Sequence, residues 1–113
     1  MITVMFNVYA NGLLNTITIS GHAEFDKKGK DIVCAAVSVL IQTFYMTLKQ
    51  LDGLIVNLID DKVFSVTIEN DFKNYTETLY GICSFLLTGI YLLKKNYPDY
   101  IKIINKGVNN GTS

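Results

Sequence analysis

Alternation of apolar and polar residues predicts five β-strands in this chain. Apolar residues recur at every second position over the first twenty residues, and Asn11-Gly12 interrupts the pattern with two residues that tolerate positive φ. We therefore predict a hairpin with a two-residue turn. The same alternation predicts a second hairpin over 54–59 and 63–69 and a final strand over 100–105.

Two longer segments have the spacing of α-helices. Residues 32–51 are apolar on nearly all sides, and Asp52-Gly53 is a helix-stop signal. Apolar residues also recur at helical intervals from Phe72 to Tyr97, where Pro98 ends the pattern. A membrane span over 32–51 is an alternative, which the polar residues inside the run weaken. The order ββαββαβ predicts an α+β fold, a two-layer sandwich of one sheet with both helices on one face.

Length and composition indicate one domain, predicted at 1–105 and followed by a polar tail at 106–113. Lys and Arg together number 10, and so do Asp and Glu. The formal net charge is therefore zero and does not favour a nucleic-acid partner. Hydrophobic residues make up 50%, which is high for a small soluble domain and favours a homodimer that buries apolar surface between its subunits. The first nine residues lack the features of a signal peptide, so we expect a cytoplasmic protein with no membrane partner.

The residues best suited to chemistry lie in the segment 21–38. His22 is the single histidine of the chain, and Cys34 is one of its two cysteines. With Asp31 as the N-cap, Cys34 falls in the first helical turn, where free amides and the helix dipole lower a thiol pKa from its usual value of about 8.5. A thiolate beside an imidazole is the minimal equipment for acyl transfer, and the free amides can face a developing oxyanion.

Less specific explanations of these residues stay open. A cysteine at the start of an apolar helix is typically a small core residue, and Cys83 in the second helix is predicted to be one. Ser38 lies one turn beyond Cys34, and its hydroxyl bonds either near the sulfur or to the carbonyl four residues earlier. One histidine and two distant cysteines fit no zinc-ligand spacing, and thiols are expected rather than a disulfide, so we expect no metal and no cofactor.

Two sequence blocks resemble those of a bacterial family, the ribosomal-processing cysteine proteases (Prp-type peptidases). The blocks are Gly21-His22-Ala23 and the run DIVCAAVS at 31–38. The resemblance implies a cytoplasmic, homodimeric peptidase that removes a short N-terminal leader from a large-subunit ribosomal protein of the L27 type. By position, His22 and Cys34 match the catalytic dyad of the family. Three further residues match fixed positions of the two blocks: Gly21, Asp31 and Ser38.

The loop between the blocks is predicted to be mobile in the free enzyme and to close over a bound leader. An ordinary solvated loop is the alternative. The residue that orients His22 stays open: Asp31, a loop carboxylate, or none. A non-catalytic ribosome-assembly or peptide-binding module, and a thiol acyltransferase or other hydrolase, stay open as alternative functions. The loop consists of Glu24, Phe25, Asp26, Lys27, Lys28, Gly29 and Lys30.

Overall fold

The computed structural model describes residues 1–21 and 31–109. Their elements follow the predicted order ββαββαβ and form a single five-stranded sheet with two helices. Across the sheet the strands run β3-β4-β2-β1-β5, with β1 and β5 parallel and the other neighbours antiparallel. The bounds are β1 Ile2–Val8, β2 Leu14–Gly21, α1 Ile32–Leu48, β3 Val56–Asp60, β4 Phe64–Ile68, α2 Thr76–Asn96 and β5 Ile101–Val108.

One face of the sheet and both helices share a single hydrophobic core, as predicted. Alternate residues of β1, namely Ile2, Val4 and Phe6, are at most 5% exposed on this face. Each helix contributes residues spaced three or four apart, which places them on one helical face. These are Val33, Val37, Ile41, Phe44 and Leu48 of α1, and Leu79, Cys83, Leu86 and Ile90 of α2.

The opposite face of the sheet carries hydroxyl side chains. Thr16 and Thr67 share a hydrogen bond of 3.0 Å between their Oγ1 atoms, and Thr18 Oγ1 lies 3.0 Å from Ser65 Oγ. Both pairs join directly opposed positions of β2 and β4. This polar surface explains the alternation in the sequence, because successive residues of a strand point to opposite faces.

The first hairpin closes over three residues, so the predicted two-residue turn is wrong. Tyr9 N donates to Leu13 O at 2.8 Å, and Gly12 N donates to Tyr9 O at 2.9 Å. Gly12 adopts a φ of +88°. A three-residue loop with glycine at its left-handed position is the next most common hairpin connection after the two-residue type.

Three further boundaries differ by three or more residues from the prediction. Helix α2 begins at Thr76 rather than Phe72. Helix α1 ends at Leu48 rather than Leu51, because tighter i to i−3 hydrogen bonds of Gln50 and Leu51 replace the helical pattern. Strand β5 continues to Val108, so residues 106–108 belong to the sheet and not to a tail. Pairing with β1 extends this strand, and Asn109 N donates to Val8 O at 2.8 Å.

Helix α2 is long and apolar enough, by length and composition, to cross a membrane. The core helix of a folded domain meets the same criteria. Leu79 and Ile90 of α2 are completely buried within the core that α2 shares with α1 and the sheet.

Candidate active site

Asp31 fixes the start of α1 where the sequence predicts it. Its Oδ1 accepts hydrogen bonds from the backbone N–H of Val33 at 3.0 Å and of Cys34 at 2.9 Å. Cys34 therefore lies in the first helical turn, at the positive end of the helix dipole. The cap already occupies the amides of Val33 and Cys34, so the prediction that free first-turn amides face an oxyanion does not hold for these two.

The half-buried thiol of Cys34 lines a cavity of about 250 Å³. The cavity is bounded by α1, by β1 and β2, and by the turn that joins β3 to β4. Apolar residues and polar groups both contribute to its wall, an arrangement typical of a substrate site. The apolar residues include Ile2, Ile19, Val37, Ile41 and Phe64, and the polar ones include Ser20, Ser38, Gln42, Asp61 and Lys62.

Gly21 ends β2 at this same cavity. It has a φ of +81°, and a Cβ there would lie 2.3 Å from the carbonyl oxygen of Met1. Both observations require glycine at this position. His22 and the loop at 24–30 lie outside the described residues, so the predictions made for them stay predictions.

Ser38 lies one helical turn beyond Cys34 and lines the same cavity. Gln42, one turn further, donates from Nε2 to Ser38 Oγ at 2.6 Å. Because the serine oxygen accepts this bond, its own hydrogen is left to donate to another group. Gln42 was not among the residues expected at the site. The repeated spacing of four residues from Cys34 to Ser38 to Gln42 is the signal that identifies it.

Cys83 is a different kind of cysteine. Its side chain is 6% exposed and belongs to the hydrophobic core. Burial raises the pKa of the Cys83 thiol to about 11, and a backbone hydrogen bond from Leu14 opposes this only in part. The residue is therefore a protonated packing residue at neutral pH, as predicted.

A larger groove of about 530 Å³ lies between the two helices, on a different face of α1. Val39 and Phe85 line it and are 64% and 76% exposed. Among the described residues its wall contains apolar side chains, two threonines and Gly81, and it includes no cysteine and no acidic or basic side chain. The Cys34 cavity, which has a thiol in its wall, is therefore the candidate active site.

Helix α2 is in close contact with α1 at Gly89. A Cβ at Gly89 would lie 3.1 Å from the side chain of Leu40 in α1. At Gly81 no atom lies within 4 Å of that position, so this glycine is open to the groove.

Comparison with known proteins identifies the family. The family model of the cysteine protease Prp matches residues 1–102. This chain belongs to that family. It is therefore a cysteine protease of the Prp type, a family of ribosomal processing enzymes. A search of curated protein sequences found no match.

Three solved structures share the fold. The ribosomal processing protease Prp from S. aureus, with a covalently linked product peptide, superposes with a TM-score of 0.81 at 22% identity, over 94% of this chain and 100% of that one. The same protease with a substrate peptide gives 0.78 at 23% identity over the same shares. SMU.848 from Streptococcus mutans gives 0.72 at 29% identity, over 94% and 96% of the two chains.

Proposed function

We propose that this protein is an endopeptidase that removes a short N-terminal leader from a large-subunit ribosomal protein of the L27 type. Cys34 is the nucleophile, and His22 is the general base and acid. One observation carries the proposal: Cys34 and Gly21 line the same cavity. His22 follows Gly21 directly in the sequence, so the proposed base is the chain neighbour of a residue that lines this cavity. The peptide linked covalently to the S. aureus relative supports a covalent mechanism on peptides.

In this mechanism the imidazole of His22 takes the proton of Cys34, and Sγ attacks the scissile carbonyl carbon. The C–N bond then breaks, the imidazolium protonates the leaving amine, and the leader stays on the enzyme as a thioester. A water molecule, deprotonated by the imidazole, attacks the thioester, and the C–S bond breaks to restore the thiol. The helix dipole at the start of α1 favours the thiolate throughout.

Three other residues position these groups in the proposal. Asp31 holds the first turn of α1, and with it the Cys34 backbone. Gly21 directs the chain from β2 past Met1. Ser38, held by Gln42, offers its hydrogen to a group inside the cavity.

We also propose that the loop at 24–30 controls access to the active site, because a protease for one leader must avoid general proteolysis. Closure of this loop over a bound leader would bring His22 to Cys34 and exclude water. Amide hydrogen exchange tests it: a leader peptide bound to Cys34→Ala is expected to protect 24–30. Equal exchange with and without the peptide refutes gating and leaves the dyad untouched.

The function is tested with ribosomal proteins that carry their native N-termini. Wild-type protein is expected to shorten one of them by the mass of its leader. Cys34→Ala and His22→Ala are expected to abolish the reaction, and Cys83→Ala, the matched control, is expected to retain it. Unchanged masses together with peptide binding would indicate the binding module instead. Turnover of small thioesters with intact peptides would indicate an acyltransferase or hydrolase.

We also propose that the protein is a cytoplasmic homodimer that makes no direct contact with nucleic acid. Both cysteines are free thiols, which is compatible with a reducing compartment. The apolar groove between α1 and α2 supports a second copy as its occupant, because a net charge of zero leaves two copies without net repulsion. Gly81 offers a helix of that copy a close approach to α2.

A further inference from the structure

A second cavity, of about 410 Å³, adjoins the cavity that contains Cys34. Both are lined by Ser38, Gln42 and Phe64, so they are two parts of one cleft. The cleft follows α1 and lies between this helix and the hairpin of β3 and β4. It uses a different face of α1 from the groove against α2, which contains Val39. A ligand that fills both parts of this cleft therefore reaches Cys34.

The part of the cleft remote from Cys34 is lined mainly by apolar groups. Tyr45 and Met46 come from α1, and Leu58 comes from β3. Met46 is 61% exposed, so its flexible thioether is available to a ligand. Asp60 adds an exposed carboxylate to the wall. This chemistry favours a large apolar side chain and disfavours an acidic one, because the two carboxylates would repel.

Helix geometry gives the distance between the two parts of the cleft. An α-helix rises about 1.5 Å per residue. Gln42, midway in sequence between Ser38 and Met46 of the second cavity's wall, therefore lies about 12 Å along the axis from Cys34. An extended peptide advances about 3.3 Å per residue, so this distance corresponds to about four residues. We propose that the second cavity is a substrate subsite for a large apolar side chain about four residues from the scissile bond. Met46 determines its specificity. This inference rests on the proposed peptidase function.

A positive charge introduced at Met46, tested against peptides that carry a negative charge, tests the subsite. The probes are fluorogenic peptides from the leader region of an L27-type ribosomal protein, each with a single Glu at one of roughly six positions on either side of the scissile bond. At the position about four residues away, the Glu peptide is expected to lose about tenfold in kcat/KM with the wild-type enzyme. Met46→Lys is expected to recover about tenfold on that peptide alone, because its ammonium pairs with the new carboxylate.

Ile59→Lys is the matched control. Ile59 follows Leu58 on β3, is 58% exposed and points to the opposite face of the sheet. Its cleavage profile is expected to equal that of the wild type. If Met46→Lys also retains the wild-type profile, the subsite assignment is overturned.

Peptide binding separates this inference from the function on which it rests. Fluorescence anisotropy with Cys34→Ala is expected to show weaker binding of the same Glu peptide, and Met46→Lys in that background is expected to restore it. If the wild-type enzyme cleaves no peptide but Met46→Lys restores binding of the Glu peptide, the peptidase function is refuted and the subsite is supported. If peptides are cleaved while binding is indifferent to Met46→Lys, the subsite fails and the function stands.

Discussion

Asp31 Oδ1 holds two consecutive amides of α1, and one of them belongs to Cys34 itself. The backbone geometry of Cys34, the proposed nucleophile, therefore depends on a side chain that need not touch the substrate. Asparagine caps a helix nearly as well as aspartate but carries no charge, whereas alanine cannot cap. Substitutions at this one position can separate a capping role from an electrostatic one.

We expect Asp31→Ala to lower the free energy of unfolding by about 0.5 to 2 kcal/mol and to reduce peptide cleavage by loosening the first turn. Asp31→Asn is expected to keep the stability, so that any activity it loses measures a role of the charge. Urea unfolding and cleavage assays on the same preparations give both quantities. Wild-type values for Asp31→Ala in both assays would contradict the role of this cap.

The two thiols are expected to differ in reactivity. At pH 7 a thiol with a pKa of about 11 is ionised in about one molecule in ten thousand. Burial in the core restricts access to Cys83 further. Iodoacetamide is therefore expected to label Cys34 well before Cys83 in the native protein, as read by mass spectrometry. Equal labelling rates would remove Cys34 as an activated nucleophile, provided that unfolded protein labels both.

At the scale of elements, a buried polar cluster joins four strands at one end of the sheet. Tyr9, just after β1, donates its hydroxyl to Ile68 O of β4 at 2.5 Å. Asn15 of β2 donates to the Tyr9 oxygen at 2.8 Å and accepts from Asn109, just after β5, at 2.7 Å. The cluster adds buried side-chain hydrogen bonds between strands that are already paired through their backbones.

Tyr9→Phe is expected to lower the free energy of unfolding by about 1 to 3 kcal/mol, because Ile68 O and the Asn15 amide lose a buried partner. Burial first, and the charge of Glu69 second, raise the pKa of Tyr9, although the Asn15 hydrogen bond lowers it in part. The folded state thus favours the protonated phenol. Its stabilising contribution is complete below pH 10 and is lost as the pH rises through the raised pKa.

Thermal unfolding between neutral and strongly alkaline pH checks this prediction. The stability difference between the wild type and Tyr9→Phe is expected to shrink at the alkaline end. A difference that stays constant with pH would show that ionisation of Tyr9 is not linked to folding.

The elements could be predicted from sequence because each has a local signal. Alternation predicted the strands, and Asp31 predicted the start of α1. The turn at Gly12 was misjudged by one residue, because the hydrogen bond of Tyr9 to Leu13 that closes it is not encoded in the turn residues alone. The strand order was not predictable, because the pairing of β1 with β5 joins residues about one hundred positions apart.

The candidate site could likewise be predicted from sequence only in part. The capped first turn with Cys34 could be predicted, because a cap acts within three residues. Gln42 and Phe64 were missed as parts of the cavity. Their role depends on how the β3 and β4 hairpin packs beside α1, which no local pattern contains.

At the scale of the whole molecule, the exposed apolar groove between α1 and α2 predicts an oligomer. A stable interface buries about 800 Å² on each partner, with aromatic side chains among its strongest contacts. Phe85 is the most exposed of the large hydrophobic residues described. We expect the wild type to sediment as a dimer and Phe85→Glu to sediment as a folded monomer.

Ile59→Glu is the control for this prediction, because it adds the same charge at an exposed apolar residue on the far side of the sheet. It is expected to remain dimeric in analytical ultracentrifugation. A monomeric wild type at micromolar concentration, or a dimeric Phe85→Glu, would contradict the assignment of this face.

The parallel pairing of β1 with β5 joins the first strand of the described chain to its last one. During translation, the outer edge of β1 therefore stays open to other chains until residues 101–108 have left the exit tunnel. Nonlocal pairing of this kind is slow to form, so the nascent protein is expected to need chaperone protection until late in its synthesis. A chain stopped at Tyr100 is expected to aggregate in a cell-free translation system, and the addition of a trigger-type chaperone is expected to keep it soluble. A soluble, protease-resistant product from that shortened chain would show that β5 is dispensable for folding.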